Sequence, residues 1–323
     1  AFNQGVTRRG AYAAYMDITH PEVEEFIAMR KTTGGDLNRK CLNLHNGINI
    51  TDAFLEAVKK DEDWRLIDPK TNAAVKVVPA RDLWWQLIHT RAETGEPYIV
   101  NIDRCNEAMP DAQKNMGLKV HQSNLCSEIT LATDEERTAV CCLSSVNLEY
   151  FDEWKDVPTF IPDLIRMLDN IIQHFVDNAV DTLPEPHFLM PNNMKEFMKY
   201  VKKEQKGFAK AAYSAFRERA LGLGAMGFHS YLQRNGIPFE DLYTASFNNK
   251  SFKHIKESAF IASLSLGEER GEAPDMRGTG LRNSHLLAVA PNASSSIICG
   301  GTSPSIEPSR ANVYTHKTLS GSF

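Results

Sequence analysis

Residues 162–183 repeat apolar side chains at the spacing of a helix. Six of them follow the period of a helix, with Asp and Asn on the other face: Leu164, Leu168, Ile171, Ile172, Phe175 and Ala179. An apolar face of this length must be buried against other elements, so the pattern predicts a long scaffold helix. A second amphipathic helix is predicted over residues 80–94, with Leu83 and Leu87 on its buried face.

Strand patterns occupy other parts of the chain. Residues 42–50 alternate apolar and polar side chains, which is the period of a strand, and residues 11–16 and 97–102 are also predicted to be strands. Residues 61–78 are predicted to form a surface hairpin with a turn at Asp68. The chain therefore combines helices with strands.

Composition excludes several classes of protein. The 323 residues carry a net charge of −5 and are 42% hydrophobic, which allows a substantial core and argues against nucleic-acid binding through a basic face. No apolar run approaches the length of a membrane span, and the N-terminus is not a signal peptide. We therefore predict a cytoplasmic protein with no membrane partner.

The six cysteines are too few for a disulfide scaffold, and none lies in a C-x-x-C arrangement. Zinc is disfavoured, and we predict no metal site. Cys141 and Cys142 are adjacent, so along a strand their thiols would point to opposite faces. At most one of them can then share a cavity with Cys126.

An amide, a thiol and a carboxylate alternate in the stretch 122–129. In an extended backbone Asn124, Cys126 and Glu128 would project from one face, which suits a strand or loop tip directed into a closed cavity. We expect this stretch and residues 138–148 to form two arms of a hairpin-like excursion. A strand with an incidental buried thiol is the alternative, because free cysteines are commonly buried.

Three further segments invite nucleotide interpretations. The glycines of residues 219–229 lack the spacing of a dinucleotide site and are better explained by close packing of a strand or turn against a neighbour. Residues 286–298 read as a strand followed by a turn of small residues, which suits either a phosphate or an ST-turn. Residues 4–10 form a polar loop that could wrap a nucleotide or simply be solvated.

Taken together, these segments resemble the catalytic subunit of class I ribonucleotide reductase. The resemblance rests on residues 124–129, 139–144, 219–228, 291–295 and 300–308, in order and type, and covers essentially the whole chain. It implies an α/β fold that is part of a ten-stranded barrel of two half-barrels. We expect one barrel domain over residues 1–323, incomplete at both ends, with a specificity-type loop (1–11), a central finger loop (118–131) and a phosphate-binding turn region (286–308).

The resemblance also implies roles for individual residues. Cys126 matches the thiyl-radical cysteine, Asn124 and Glu128 its polar companions, and Cys141 one member of the reducing thiol pair. The residues matching the turn that holds the substrate phosphates are Pro291, Asn292, Ala293, Ser294 and Ser295. The residues matching the effector loop are Gln4, Arg8 and Arg9.

The same resemblance implies partners and chemistry. The implied activity is radical reduction of ribonucleoside diphosphates to deoxyribonucleotides. The radical is expected from a dimetal small (beta) subunit, with no cofactor held by this chain, and electrons from thioredoxin or glutaredoxin. Nucleotide effectors (ATP or dNTP), a second large-subunit copy and complementing fragments of the same subunit complete the expected partners.

The chain also departs from the family pattern. The second reducing cysteine would precede residue 1, and the relay tyrosines and redox-active tail would follow residue 323. Position 293 lacks the carboxylate of some relatives. We therefore expect a central fragment, from a split gene or a truncation, that is inactive alone. The alternatives are a cobalamin-dependent reductase, a glycyl-radical enzyme and a non-catalytic piece with buried cysteines.

Overall fold

A computed structural model describes residues 3–4, 8–183, 191–311, 313, 315, 317–318 and 321–322; at 3–4, 8–9, 317–318 and 321–322 it describes the backbone alone. The chain divides into two compact units. The first consists of residues 1–109 and 120–130, and the second of residues 110–119 and 131–323.

The fold is mixed α/β. The strands are β1 (Asn3–Gln4), β2 (Arg8–Arg9), β3 (Ala13–Asp17), β4 (His45–Ile50), β5 (Asp63–Ile67), β6 (Ala74–Pro79), β7 (Tyr98–Asn101), β8 (Cys142–Asn147), β9 (Leu221–Met226), β10 (Lys317–Thr318) and β11 (Gly321–Ser322). The α-helices are α1 (Val23–Ala28), α2 (Asp52–Lys60), α3 (Ala80–Thr94), α4 (Ile102–Ala108), α5 (Asp111–Asn115), α6 (Phe151–Trp154), α7 (Phe160–Ala179), α8 (Met194–Phe197), α9 (Ala209–Glu218), α10 (Phe228–Arg234), α11 (Leu242–Arg270) and α12 (Ser295–Ile298). The 3₁₀ turns are Leu37–Arg39, Leu148–Tyr150, Lys203–Phe208 and Pro274–Met276.

The first unit is built on a parallel sheet of three strands in the order β3-β4-β7. Parallel neighbours need crossover connections, and α1 and the pair α2–α3 lie within them. One face of the sheet packs on these helices and forms a core with the β5–β6 hairpin. Thr51 caps α2 by accepting a hydrogen bond from the Phe54 N–H at 3.1 Å, so this helix begins directly where β4 ends.

The second unit contains the parallel pair β8–β9, and residues 285–288 run beside β9 through a parallel bridge between Leu223 and Leu287. The predicted scaffold helix is confirmed as α7, which packs against this sheet and against α9 and α11. Ile165, Leu168 and Ile172 on its buried face are at most 1% exposed, whereas Ile171, predicted to lie on that face, points outward and is 46% exposed. The helix thus provides the central surface of the larger core.

The described strands form sheets of two or three strands. The predicted strands and helices of residues 11–102 are confirmed, with ends shifted by a few residues. Two predictions are wrong: residues 122–129 are not an extended strand, and they do not form a hairpin with residues 138–148. Residues 118–141 contain no strand. Instead, residues 124–127 form a turn in which the Ser127 N–H donates to the Asn124 carbonyl at 3.2 Å.

Candidate active site

The loop 120–130 is held by side chains of the first unit. The Asn49 amide donates to the His121 carbonyl at 2.8 Å, and the Asn106 amide exchanges two hydrogen bonds with the Val120 backbone, both at 2.9 Å. Tyr15 donates its hydroxyl to the Asn124 carbonyl at 2.5 Å. The backbone of this loop is therefore held by hydrogen bonds from side chains of the sheet and of α4. A strand, as predicted here, would instead have been held by the backbone of a neighbouring strand.

The turn itself depends on Asn124. Its side-chain oxygen accepts hydrogen bonds from the backbone N–H groups of Glu128 and Ile129, at 3.1 and 3.2 Å. Ser127 has a φ of +64°, a value that L-residues rarely adopt and that reverses the chain here. Within the described ranges the Asn124 side-chain oxygen is used inside the loop, while its amide nitrogen makes no hydrogen bond to the protein and is the group that remains for a ligand.

Cys126 lies at the exposed third position of this turn. The alternative of an incidental buried thiol is therefore wrong. Cys126 is close enough to Tyr98 on β7 to affect its ionisation. Burial raises the pKa of the Tyr98 hydroxyl, and the negative charges of Glu96 and of an ionised Cys126 raise it further. One carboxylate oxygen of Glu128, Oε2, is buried without a hydrogen-bond partner among the described residues. The three predicted residues thus share one turn, which carries an exposed thiol and a half-buried acid with one buried oxygen that has no partner among the described residues.

Cys141 and Cys142 do point to opposite faces of the β8–β9 sheet. A β-carbon at Gly222 would lie 3.0 Å from the Cys141 sulfur and 2.3 Å from Leu143 Cδ2, so these side chains share one face. Cys142 packs instead against the core on the other face, where burial raises the pKa of its thiol. The structure therefore selects Cys141 as the cysteine on the face that is not packed on α7.

Glycines on β9 allow close packing, as predicted for residues 219–229. A β-carbon at Gly224 would lie 2.3 Å from the Ala288 carbonyl oxygen, which no side chain could accommodate without moving the backbone. The segment 286–290 can therefore lie directly against β9. It leads from there into the predicted phosphate turn.

The turn 291–295 lies at the end of this segment and leads into the short helix α12, whose first residue is Ser295. Asn292 has a φ of +54°, and its amide donates to the carbonyls of Ala225 and Ala290 at 3.2 and 2.9 Å. Pro291, Ala293, Ser294 and Ser295 are exposed. In the described part of the chain, the backbone N–H groups of residues 293–295 have no protein acceptor. The turn thus presents donors, which suits an anion.

The effector-loop prediction lies largely outside the described residues. Residues 5–7 and the side chains of Gln4, Arg8 and Arg9 are not described. The backbones of residues 3–4 and 8–9 pair as antiparallel strands, with Gln4 opposite Arg8. Their role toward a nucleotide stays a prediction.

Polar clusters in the second unit were missed by sequence reasoning. Asp275 is 2% exposed and accepts hydrogen bonds from Arg137 at 2.5 Å and Arg217 at 2.7 Å. Asp169 on α7 pairs with Arg219 at 2.8 Å and Arg270 at 3.0 Å. The partners are 50 to 138 residues apart in sequence, so no local pattern reveals them.

A cavity of about 1170 Å³ lies beside the Asp169 cluster, and its lining includes Arg219, Arg270 and Arg282. None of the predicted site residues lines this cavity. Over the described ranges there is no group of three or more His, Cys, Asp or Glu side chains that could hold a metal ion. No helix within those ranges is both long and apolar enough to cross a bilayer.

Comparison with known proteins identifies the family. The sequence model of the ribonucleotide reductase barrel domain matches residues 1–279 and 274–323. A protein of Frog virus 3 (isolate Goorha), named as a ribonucleoside-diphosphate reductase large subunit, is 49% identical over 322 residues, which is 100% of this chain and 53% of that protein. The large subunit of Invertebrate iridescent virus 3 is 44% identical and is covered over 56% of its length.

The fold comparison agrees. The class Id ribonucleotide reductase alpha subunit of Actinobacillus ureae superposes with a TM-score of 0.78 and 34% sequence identity, over 95% of this chain and 51% of that one. The chain spans about half the length of the curated relatives it matches. The predicted family and α/β barrel-domain class are confirmed: the chain belongs to the ribonucleotide reductase barrel-domain family.

Proposed function

We propose that this chain carries the catalytic centre of a ribonucleoside-diphosphate reductase large subunit. The observation that carries the proposal is the turn 124–128, where an exposed thiol stands between an asparagine with an available amide and a glutamate with an unpartnered buried oxygen. The relatives named as ribonucleoside-diphosphate reductase large subunits support the substrate class. That name also favours a two-subunit enzyme over a cobalamin-dependent reductase.

The proposed roles follow from the chemistry of each group. Cys126, as a thiyl radical, takes the hydrogen atom from C3′ of the ribose and returns it to C3′ once the 2′ position is reduced, which regenerates the thiyl radical. Glu128 accepts the proton of the 3′-hydroxyl as general base, and the Asn124 amide donates to a ribose hydroxyl. The 2′-hydroxyl leaves as water. Cys141 and a second thiol supply the two electrons and the protons, and they end as a disulfide.

The turn 291–295 is proposed to bind the substrate phosphates through its backbone N–H groups. Because these donors need no side chain, an alanine at position 293 is compatible with the role. The loop with Gln4, Arg8 and Arg9 is proposed to contact a nucleotide effector.

The remaining components belong to the same proposal. A small subunit supplies the radical, thioredoxin or glutaredoxin supplies the electrons, and a second large-subunit copy and the rest of the large subunit complete the enzyme. The chain alone is proposed to be inactive. A cytoplasmic location is the corresponding expectation.

The test is ribonucleotide reduction in a large subunit completed with the missing segments and supplied with the small subunit. Cys126→Ser should abolish turnover, because an alcohol cannot replace the thiyl radical. Cys41→Ser is the matched control, since Cys41 is another exposed cysteine of the first unit, and it should retain turnover. Turnover by the Cys126→Ser enzyme would refute the proposal.

A further inference from the structure

The three-stranded sheet of the first unit presents two chemically different faces. Side chains alternate along a strand, so every second residue points the same way. The residues directed to the helices are apolar: Met16, Ile18, Ile48, Ile50 and Ile99. The alternate positions on the same strands are Tyr15, Asp17, Gly47, Asn49 and Tyr98. This second face is where Tyr15 and Asn49 reach the loop that carries Cys126.

Tyr15 bonds to the one carbonyl that closes the turn. The Asn124 carbonyl accepts from the Ser127 N–H at 3.2 Å, which defines the turn, and from the Tyr15 hydroxyl at 2.5 Å. Asn49 and Asn106 hold residues 120 and 121, which precede the turn. The Tyr15 hydroxyl therefore holds the turn that carries Cys126, whereas Asn49 and Asn106 hold the residues that precede the turn.

Gly47 leaves the space that the Tyr15 ring needs. The two residues are directly opposite each other on β3 and β4, and a β-carbon at position 47 would lie 2.4 Å from Tyr15 Cε1. Gly47 is not among the glycines with a positive φ, so its backbone does not require glycine. The requirement is steric: any larger residue would displace the ring and its hydroxyl.

We propose that Tyr15 is a positioning residue that sets the place of the Cys126 thiol through the Asn124 carbonyl, and that Gly47 is the glycine that admits its ring. The role in catalysis rests on the proposed function above, but the contact itself does not. Burial raises the pKa of the Tyr15 hydroxyl, which keeps it protonated and able to donate at neutral and moderately alkaline pH. Tyr15 does not need to touch the substrate.

Amide hydrogen exchange of the 323-residue chain tests the contact directly. Tyr15→Phe keeps the ring and removes the hydroxyl, so exchange at residues 127–129 should accelerate about five- to tenfold, as expected for one lost hydrogen bond. Amides of α3 should be unchanged. Tyr231→Phe is the matched control, because it removes a tyrosine hydroxyl that donates to Asp152 at 2.8 Å in the second unit. Unchanged exchange at residues 127–129 in Tyr15→Phe would overturn the proposal.

Gly47→Ala provides a second, independent variant. It should accelerate the same amides by displacing the ring, and the double variant Tyr15→Phe/Gly47→Ala should exchange no faster than Gly47→Ala alone. Additive effects would show that Gly47 does not act through Tyr15, and would overturn that part of the proposal.

A kinetic measurement separates positioning from general stability. In the completed enzyme, Tyr15→Phe should lower kcat at least tenfold with an unchanged KM for the nucleotide and an unchanged melting temperature. Equal kcat values would overturn the catalytic part. If exchange responds as expected while Cys126→Ser retains turnover, the proposed function fails and the Tyr15 contact stands.

Discussion

Gly224 is in close contact with the backbone of Ala288: a β-carbon at position 224 would be 2.3 Å from the Ala288 carbonyl oxygen. Because that atom belongs to the backbone, Gly224→Ala must push the segment 286–290 away from β9. We expect a loss of about 1–3 kcal/mol in the free energy of unfolding, which is typical of overpacking, measured by urea denaturation. Gly207→Ala is the control, since nothing lies within 4 Å of its β-carbon position. Equal stability of the two variants would contradict this packing.

Asp275 neutralises two buried arginines. Asp275→Asn should remove the carboxylate that Arg137 and Arg217 share, in a site where all three side chains are nearly inaccessible. The expected loss is about 3–5 kcal/mol in the free energy of unfolding. Glu269→Gln is the control because Glu269 pairs with Arg166 at the surface, where such a pair contributes at most about 1 kcal/mol. If both variants lost a comparable free energy of unfolding, burial of the ion pair would not be the cause of the destabilisation.

Glu218 should make the stability depend on pH. Burial, together with the nearby charge of Asp275, raises the pKa of its carboxyl from 4.5 to about 8. Between these values the folded chain keeps a proton that the unfolded chain releases. The stabilisation is therefore fully present below pH 4.5 and is lost as the pH rises toward 8, with a slope of at most about 1.4 kcal/mol per pH unit.

Glu218→Gln should remove this slope, because a neutral amide replaces the acid while Gln113, 3.3 Å from Glu218, remains a partner. Urea denaturation at pH 5, 6, 7 and 8 measures the free energy of unfolding at each pH and hence its slope. Glu269→Gln should keep the wild-type slope, since the pKa of Glu269 is lowered to about 2, chiefly by Arg166, and lies outside the window. If the free energy of unfolding of Glu218→Gln kept the wild-type dependence on pH, Glu218 would be excluded as the source of that dependence.

Cys141 and Cys142 should differ in reactivity. Cys142 packs against the core, and burial there raises the pKa of its thiol, whereas Cys141 lies on the other face. Iodoacetamide at pH 8 should therefore modify Cys141 at least tenfold faster. Peptide mass spectrometry of Cys142→Ala and Cys141→Ala variants measures each thiol separately. Equal rates would mean that the two side chains are not separated by the sheet. In the completed enzyme, only Cys141→Ala should stop turnover.

The sequence by itself determined the elements whose periodicity is local. The apolar repeat of residues 162–183 predicts α7, and the alternation in residues 42–50 predicts β4, because burying one face requires that spacing in each case. The order of short motifs was also sufficient to predict the family, since their combination is specific. The close packing of the β9 glycines followed from residue type alone.

Only the tertiary structure decided the shape of residues 122–129 and the location of the buried charges. The alternation of Asn124, Cys126 and Glu128 predicts a strand, but their backbone is held by the side chains of Tyr15 and Asn49 and by the Asn124 amide, and a turn results. Asp275 resembles a loop residue until Arg137 and Arg217 are placed around it. Tyr15 and Asn49 reach the loop from positions 109 and 72 residues away from their partners, and Arg137 and Arg217 lie 138 and 58 residues from Asp275. Contacts at such separations leave no local pattern to read.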